Sequence, residues 1–189
     1  MDSLTWFRAA GTGRMRGVDF FLQGTWRDLN GWLSYGWIDA KRRVNDDPRE
    51  VPASGAVKHS LTLVGQYAYR LRWQAGVRWS HTSGRPWTPV VGRTYDARRR
   101  VWHPVYGENN SALMPAYDRL DVRLMRLFAL PRAGRIPASS TCVAYVEAMN
   151  VLNTPNLLGY VYSFDYSRRF EDYSYFSRRM FVAGMSLTW

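Results

Sequence analysis

Four arginine runs carry most of the chemistry this sequence offers: Arg42-Arg43, Arg98-Arg99-Arg100, Arg168-Arg169 and Arg178-Arg179. A guanidinium presents a planar fork of donors that matches phosphate or carboxylate at two points. All four runs fall in or beside stretches without strand periodicity, so they predict an anion-attracting surface built from loops. Residues 87–110 add aromatic faces to that charge, with Tyr95, Trp102, His103 and Tyr106 among the arginines. Long connections carry binding more often than scaffolds do. Tyr95, Arg98, Arg99, Arg100, Trp102 and His103 are therefore the candidate ligand contacts. A capping loop that meets no ligand is the alternative.

Catalysis has no comparable support. His59, His81 and His103 are scattered, without a Ser-His-Asp arrangement or metal-ligand spacing, and no cofactor or metal is expected. The charges expected on the polar strand faces are Asp19, Arg72, Arg78, Arg119, Asp121, Arg123 and Glu147. Adjacent strands would bring Arg78 near Asp121, and Arg119 or Arg123 near Glu147, an arrangement for charge pairing. A carboxylate pair for acid–base work has no supporting constellation, so an enzyme is not expected. The net charge of +11 also raises nucleic acid as a partner. That needs arginines and stacking aromatics on one face. Here the aromatics lie on strands and the arginines in loops, so nucleic acid is not expected.

The elements that must position these residues follow from composition and periodicity. The 189 residues suffice for one domain or a piece of a larger one, and 46% hydrophobic with 15% aromatic content excludes a disordered chain. No apolar run approaches the roughly 18 residues of a membrane helix, which leaves a membrane barrel of alternating strands open. Cys142 is the sole cysteine, so no internal disulfide forms, and it fits a small strand residue. Residues 1–14 lack the apolar core and cleavage site of a signal peptide, so an address is expected to be missing if the protein crosses a membrane.

Period-two alternation predicts seven strands. The last, residues 181–189, sets Phe181, Ala183, Met185, Leu187 and Trp189 against Val182, Gly184, Ser186 and Thr188. The others span 17–26, 32–41, 57–69, 73–81, 117–128 and 141–151. Leu33, Tyr35 and Trp37, then Leu61 and Leu63, Val77 and Trp79, and Leu120, Val122 and Leu124 mark their apolar faces. Arg126 interrupts one such face. The sixth strand has no clear parity, which predicts a bulge, and is expected to continue through residues 153–156 to 163. Connections alternate in length: a tight turn at 28–31, a loop at 42–55, a reversal at 70–72, the longest loop at 83–115, a moderate turn at 131–140 and a loop at 164–177. One rim of an up-and-down meander would then carry tight turns and the other long loops, as in outer-membrane barrels. Trp26, Trp37, Tyr67, Tyr69, Trp73, Trp79 and Trp189 would face outward near strand ends. A soluble sandwich alternates too but does not sort its loops by rim.

Four stretches, in this order, carry a family resemblance. They are Ser83-Gly84-Arg85-Pro86-Trp87-Thr88-Pro89, Tyr117-Asp118-Arg119-Leu120-Asp121-Val122-Arg123, Glu147-Ala148-Met149-Asn150-Val151-Leu152-Asn153 with Asn156 and Tyr160-Val161-Tyr162, and the terminal strand. Over residues 13–189 the sequence resembles the C-terminal part of the β-barrel of TonB-dependent outer-membrane receptors, leaving 1–12 unassigned. The resemblance implies an all-β antiparallel up-and-down meander of about seven strands, part of a transmembrane barrel of about 22. It implies active uptake of a scarce solute (iron chelate, vitamin or glycan) at the cell outer membrane, with ligand held by outer loops. Implied partners are outer-membrane lipid and lipopolysaccharide, the barrel-assembly machinery, a plug domain and TonB. Phe181, Met185, Leu187 and Trp189 would form the assembly signal. The family's signal peptide, TonB-contacting box, plug and proline-rich approach to the last strand are not found, and seven strands cannot close such a barrel. A fragment is therefore expected. The alternatives are a small stand-alone or oligomeric barrel with a structural or adhesion role, and a soluble β-sandwich binding anions or glycans.

Overall fold

The computed structural model describes residues 11–43, 48–70, 72–131, 140–174 and 177–188. β1 (Thr12–Trp26) reverses through Arg27 and Asp28 into β2 (Leu29–Arg43), and the two strands pair along their whole length. Arg27 takes φ 53°, the left-handed conformation that a two-residue hairpin turn requires. β3 (Val51–Pro52) extends the end of β2, and β4 (His59–Tyr69) pairs along the rest of it. β5 (Trp73–Thr82) follows β4 after a turn at Arg70. The next connection contains β6 (Pro86–Trp87), β7 (Val90–Asp96), β8 (Val101–Tyr106) and β9 (Ala112–Leu113). β10 (Tyr117–Ala129) returns beside β5, and β11 (Thr141–Met149) beside β10. β12 (Leu157–Tyr162) and β13 (Arg169–Tyr173) then precede β14 (Met180–Thr188), which pairs with β11.

The wall is one antiparallel sheet in the order β1-β2-β4-β5-β10-β11-β14, with β3 attached to β2. Three two-stranded ribbons, β6–β9, β7–β8 and β12–β13, stand apart from it in the long connections. Register carries one apolar parity across the wall. Phe20 faces Tyr35, Tyr35 faces Leu61, Leu63 faces Trp79, Trp79 faces Leu120, Leu124 faces Val146 and Val146 faces Ala183. A slip of one residue at any of these pairings would turn a strand's apolar set to the other face.

Neither wall face is covered by a second sheet. Among the described residues the only buried hydrophobic side chains are Ala40 and Cys142, while Phe181 and Met185 are each 75% exposed. Val122 and Leu124 stay 40% and 42% exposed. A soluble sandwich would shut such residues into a dry centre, so the sandwich alternative does not describe this single-layer sheet.

Several strand limits differ from the sequence reading. β1 begins at Thr12 rather than 17, β2 spans Leu29–Arg43, and the turn before it is Arg27-Asp28 rather than 28–31. The sixth wall strand has no bulge: its register is unbroken against both neighbours. Its apolar parity is Cys142, Ala144, Val146 and Ala148, obscured because three of the four are small. Nor does it run on to 163. It stops at Met149, because Asn150 turns left-handed at φ 51°. Residues 157–162 pair with β13 instead of the wall. The loops read at 83–115 and 164–177 contain strands of their own, β6–β9 and β13.

Candidate functional site: the long-loop rim

Connections between wall strands sort by rim. Those from β1 to β2, β4 to β5 and β10 to β11 join the strands at one end of the sheet; those from β2 to β4, β5 to β10 and β11 to β14 join them at the other. The long connections fasten to the wall and to one another. Asn150 is fully buried and its N–H donates to Asp121 Oδ1 at 2.8 Å. Its amide Nδ2 donates to the carbonyls of Thr154 (3.0 Å) and Ser177 (3.1 Å), and its Oδ1 accepts from Thr154 N at 3.1 Å. Asn156, also buried, brackets the Asp118 backbone, accepting from its N–H and donating to its carbonyl, each at 3.0 Å. Asn110 donates to the Pro52 carbonyl at 2.7 Å and Ser54 Oγ at 3.1 Å, joining the second connection to the first. Buried amides satisfied this fully hold irregular backbone in one conformation. At Gly84 a Cβ would lie 1.7 Å from the Met114 carbonyl oxygen, so only glycine lets the two ends of the second connection cross where β6 meets β9.

The candidate ligand residues occupy the β7–β8 hairpin. Tyr95 and Trp102 face each other across it with ring centroids 5.0 Å apart. Arg98, Arg99 and Arg100 form its turn. Asp96 Oδ1 accepts from the N–H groups of Arg98 (2.9 Å) and Arg99 (3.1 Å), and Arg100 closes the turn at φ 54°. His103 pairs with Thr94 and takes the opposite parity to Trp102, so it does not join the aromatic pair. The turn carries three exposed arginines next to the Tyr95–Trp102 pair, with Arg99 4.0 Å from the Asp96 carboxylate, an arrangement suited to an anion.

Sequence reasoning missed Arg93 and Asp165. The Arg93 guanidinium lies 4.5 Å over the Trp102 ring and pairs with the Asp165 carboxylate of the third connection. It also donates to the Asp165 carbonyl at 3.0 Å. Hydrogen bonds from the Ser163 hydroxyl, then from the Ser167 hydroxyl and N–H, hold the Asp165 carboxyl well below the usual carboxylate range. The Ser163-x-Asp165-x-Ser167 spacing was the available signal. A second contact between these connections packs Trp87 against Tyr160, ring centroids 4.5 Å apart and planes tilted by 40°, with Arg169 4.4 Å over Tyr160. Of the four arginine runs, Arg168-Arg169 thus reaches the rim's aromatic cluster.

On the polar face, Arg123 meets Glu147 at 3.9 Å as expected. Arg78 sits opposite Asp121 in register, but Asp121 takes Arg119 Nε at 2.7 Å and the Asn150 N–H instead, so the expected Arg78–Asp121 pair does not form. The histidines belong to separate pairs: His59 with Tyr35 and His81 with Asp118, each at 2.8 Å. On β14, Phe181, Met185 and Leu187 share the apolar parity and face Ala148, Ala144 and Cys142. Trp189 lies outside the described residues.

Residues 2–130 match the model of a family described as TonB dependent receptor-like, beta-barrel, over more than half of the chain. No curated protein and no solved structure matches the chain.

Proposed function

The chain belongs to the TonB-dependent receptor-like β-barrel family, and from that premise we propose that it is part of an outer-membrane receptor for active uptake of a scarce solute, an iron chelate, vitamin or glycan. Residues 13–189 form a C-terminal section of the barrel wall. The apolar parity faces lipid and the polar parity a water-filled lumen that a plug domain occupies. The family is one of transporters, and the chain's carboxylates serve charge pairing rather than catalysis. Energy arrives through TonB, and the barrel-assembly machinery reads Phe181, Met185, Leu187 and Trp189. Lipopolysaccharide phosphates meet the basic long-loop rim. The observation carrying this reading is the braced long-loop rim, whose β7–β8 hairpin joins Tyr95, Trp102 and Arg93 to the exposed turn of Arg98, Arg99 and Arg100.

Protease access tests the membrane placement. With the chain exported to the outer membrane of intact cells, trypsin is expected to cut at Arg98–Arg100 from outside and at Arg70 only after permeabilisation. Recovery in the soluble fraction, or the reverse order of cutting, overturns the placement. Calorimetric titration with ferric citrate, cyanocobalamin and a maltodextrin then tests the solute. Binding of one probe, weakened when Arg98, Arg99 and Arg100 are all changed to Gln, is expected. Binding indifferent to that change removes the hairpin from the site.

A further inference from the structure

The short-turn rim carries a groove that neither uptake nor barrel assembly uses. It lies on the apolar parity of β1, β2 and β4 and encloses about 480 Å³. Its floor is Gly24, Gly31 and Gly65, which the register sets side by side. Trp26 and Leu29 line the end toward the turns, and Leu33 the end toward the middle of the wall. The floor is bare backbone: a Cβ at Gly24 would meet nothing within 4 Å, whereas one at Gly31 would lie 2.5 Å from the Val64 carbonyl oxygen.

Directly beyond the groove stand two arginines. Arg27 lies 5.2 Å over the Trp26 ring and Arg70 5.0 Å over the Tyr69 ring. Their turns touch, since Ala68 N donates to the Asp28 carbonyl at 2.8 Å. Among the described residues neither guanidinium has an ion-pair partner. The charged groups of this corner are Arg27, Asp28, Arg70 and Arg72, a net positive cluster. The long-loop rim differs, since acids there take up part of the basic charge, as in Arg93–Asp165 and Arg49–Glu108.

Depth connects the groove to the charge. Three residues separate Gly24 from Arg27, roughly 10 Å of strand, or about 8 Å of height at the usual barrel tilt of about 40°. An interfacial layer spans about 5–8 Å between hydrocarbon and headgroup edge. With the groove at the hydrocarbon boundary, Arg27 therefore stands at phosphate level, and Arg70, five residues beyond Gly65 at the end of the neighbouring hairpin, stands farther out on the headgroup side. We propose that this corner is a binding site for an anionic phospholipid of the inner leaflet. Its phosphate is held between Arg27 and Arg70, and one acyl chain lies in the Gly24–Gly31–Gly65 groove against Trp26. The proposal rests on the outer-membrane reading above.

Tryptophan quenching by brominated lipid tests it. The full chain, reconstituted in nanodiscs, is measured with acyl-brominated phosphatidylglycerol and with acyl-brominated phosphatidylcholine. Subtracting the Trp26→Phe signal isolates Trp26. Phosphatidylglycerol is expected to quench Trp26 in preference to phosphatidylcholine, with the preference falling about fivefold for each of Arg27→Gln and Arg70→Gln. Gly24→Leu, whose side chain enters open space, is expected to abolish the Trp26-dependent quenching by both lipids. The two arginine changes lie on exposed turns and keep the test open if Gly24→Leu does not fold. Equal quenching by both lipids, unmoved by the arginine changes, overturns the site while leaving the membrane reading intact. Absence of quenching by either lipid overturns both.

Discussion

The wall and the long-loop rim are built by different rules. In the wall, seven strands repeat one arrangement, and backbone pairing alone fixes which side chains share a face. In the rim nothing repeats. Single buried side chains, Asn150, Asn156 and Asn110, each tie backbone groups from distant parts of the chain. The wall therefore spreads its specification over many equivalent residues, and the rim concentrates it in a few. A wall residue should matter according to the face it occupies, a rim residue according to the groups it leaves unpaired.

The sharpest way to break that comparison is a pair of substitutions one residue apart. Leu63 lies on the outward face and Thr62 on the polar face of β4. Leu63→Arg is expected to cost about 2–4 kcal/mol, the penalty for a cation at mid-depth on a lipid face, and Thr62→Arg close to nothing. Denaturant unfolding in lipid bilayers, read by the heat-modifiable gel shift, measures both. Equal costs would mean that the two faces do not meet different solvents.

For the rim, Asn150→Ala is expected to cost about 2–3 kcal/mol, because it strands the Thr154 and Ser177 carbonyls in a buried site. Asn150→Gly, which keeps the left-handed φ of 51° but also loses the amide, separates backbone strain from lost hydrogen bonds. If Gly restores most of the stability, the conformation rather than the side-chain network holds the rim. A weaker effect is expected at Gly84. Adding a Cβ there displaces the Met114 carbonyl and should unpair β6 from β9, seen as faster amide exchange at Met114, whose N–H donates to the Arg85 carbonyl at 3.0 Å.

The same contrast decides what could be read from residue order. The seven wall strands, the apolar faces and the sorting of connections rest on short-range periodicity, which residues such as Leu61, Leu63, Trp79 and Leu120 display openly, while the family resemblance rests on four ordered stretches such as Tyr117 to Arg123. The β7–β8 hairpin was hidden because its turn, Ala97 to Arg100, has no glycine or asparagine, and Pro104 sits inside β8, where proline argues against a strand. β11 was misread because Cys142, Ala144 and Ala148 make a weak apolar stripe. Asn150 announced the strand end only through its backbone conformation. The Arg93–Asp165 pair spans 72 residues, and no local pattern could name the partner.

That pair supplies the smallest predicted effect and the most local one. Both side chains are 38% exposed, so its loss should leave global unfolding nearly unchanged. What it should change is the coupling between the β7–β8 hairpin and the third connection. Arg93→Met is expected to speed amide exchange at Ser167 and at the β7–β8 turn while leaving β10 and β11 unaffected. The sign of the pH dependence follows from Asp165, whose folded carboxyl titrates below its unfolded value of about 3.9. Its contribution is complete above that value and disappears only as pH falls through the lower folded one. Protection at Ser167 should therefore be flat from pH 7 to about 5, after correction for intrinsic exchange, and decline only in stronger acid. A decline already near pH 6 would assign the coupling to a histidine instead. The brace would then be a neutral-pH switch rather than the permanent tie that the serine hydrogen bonds make it.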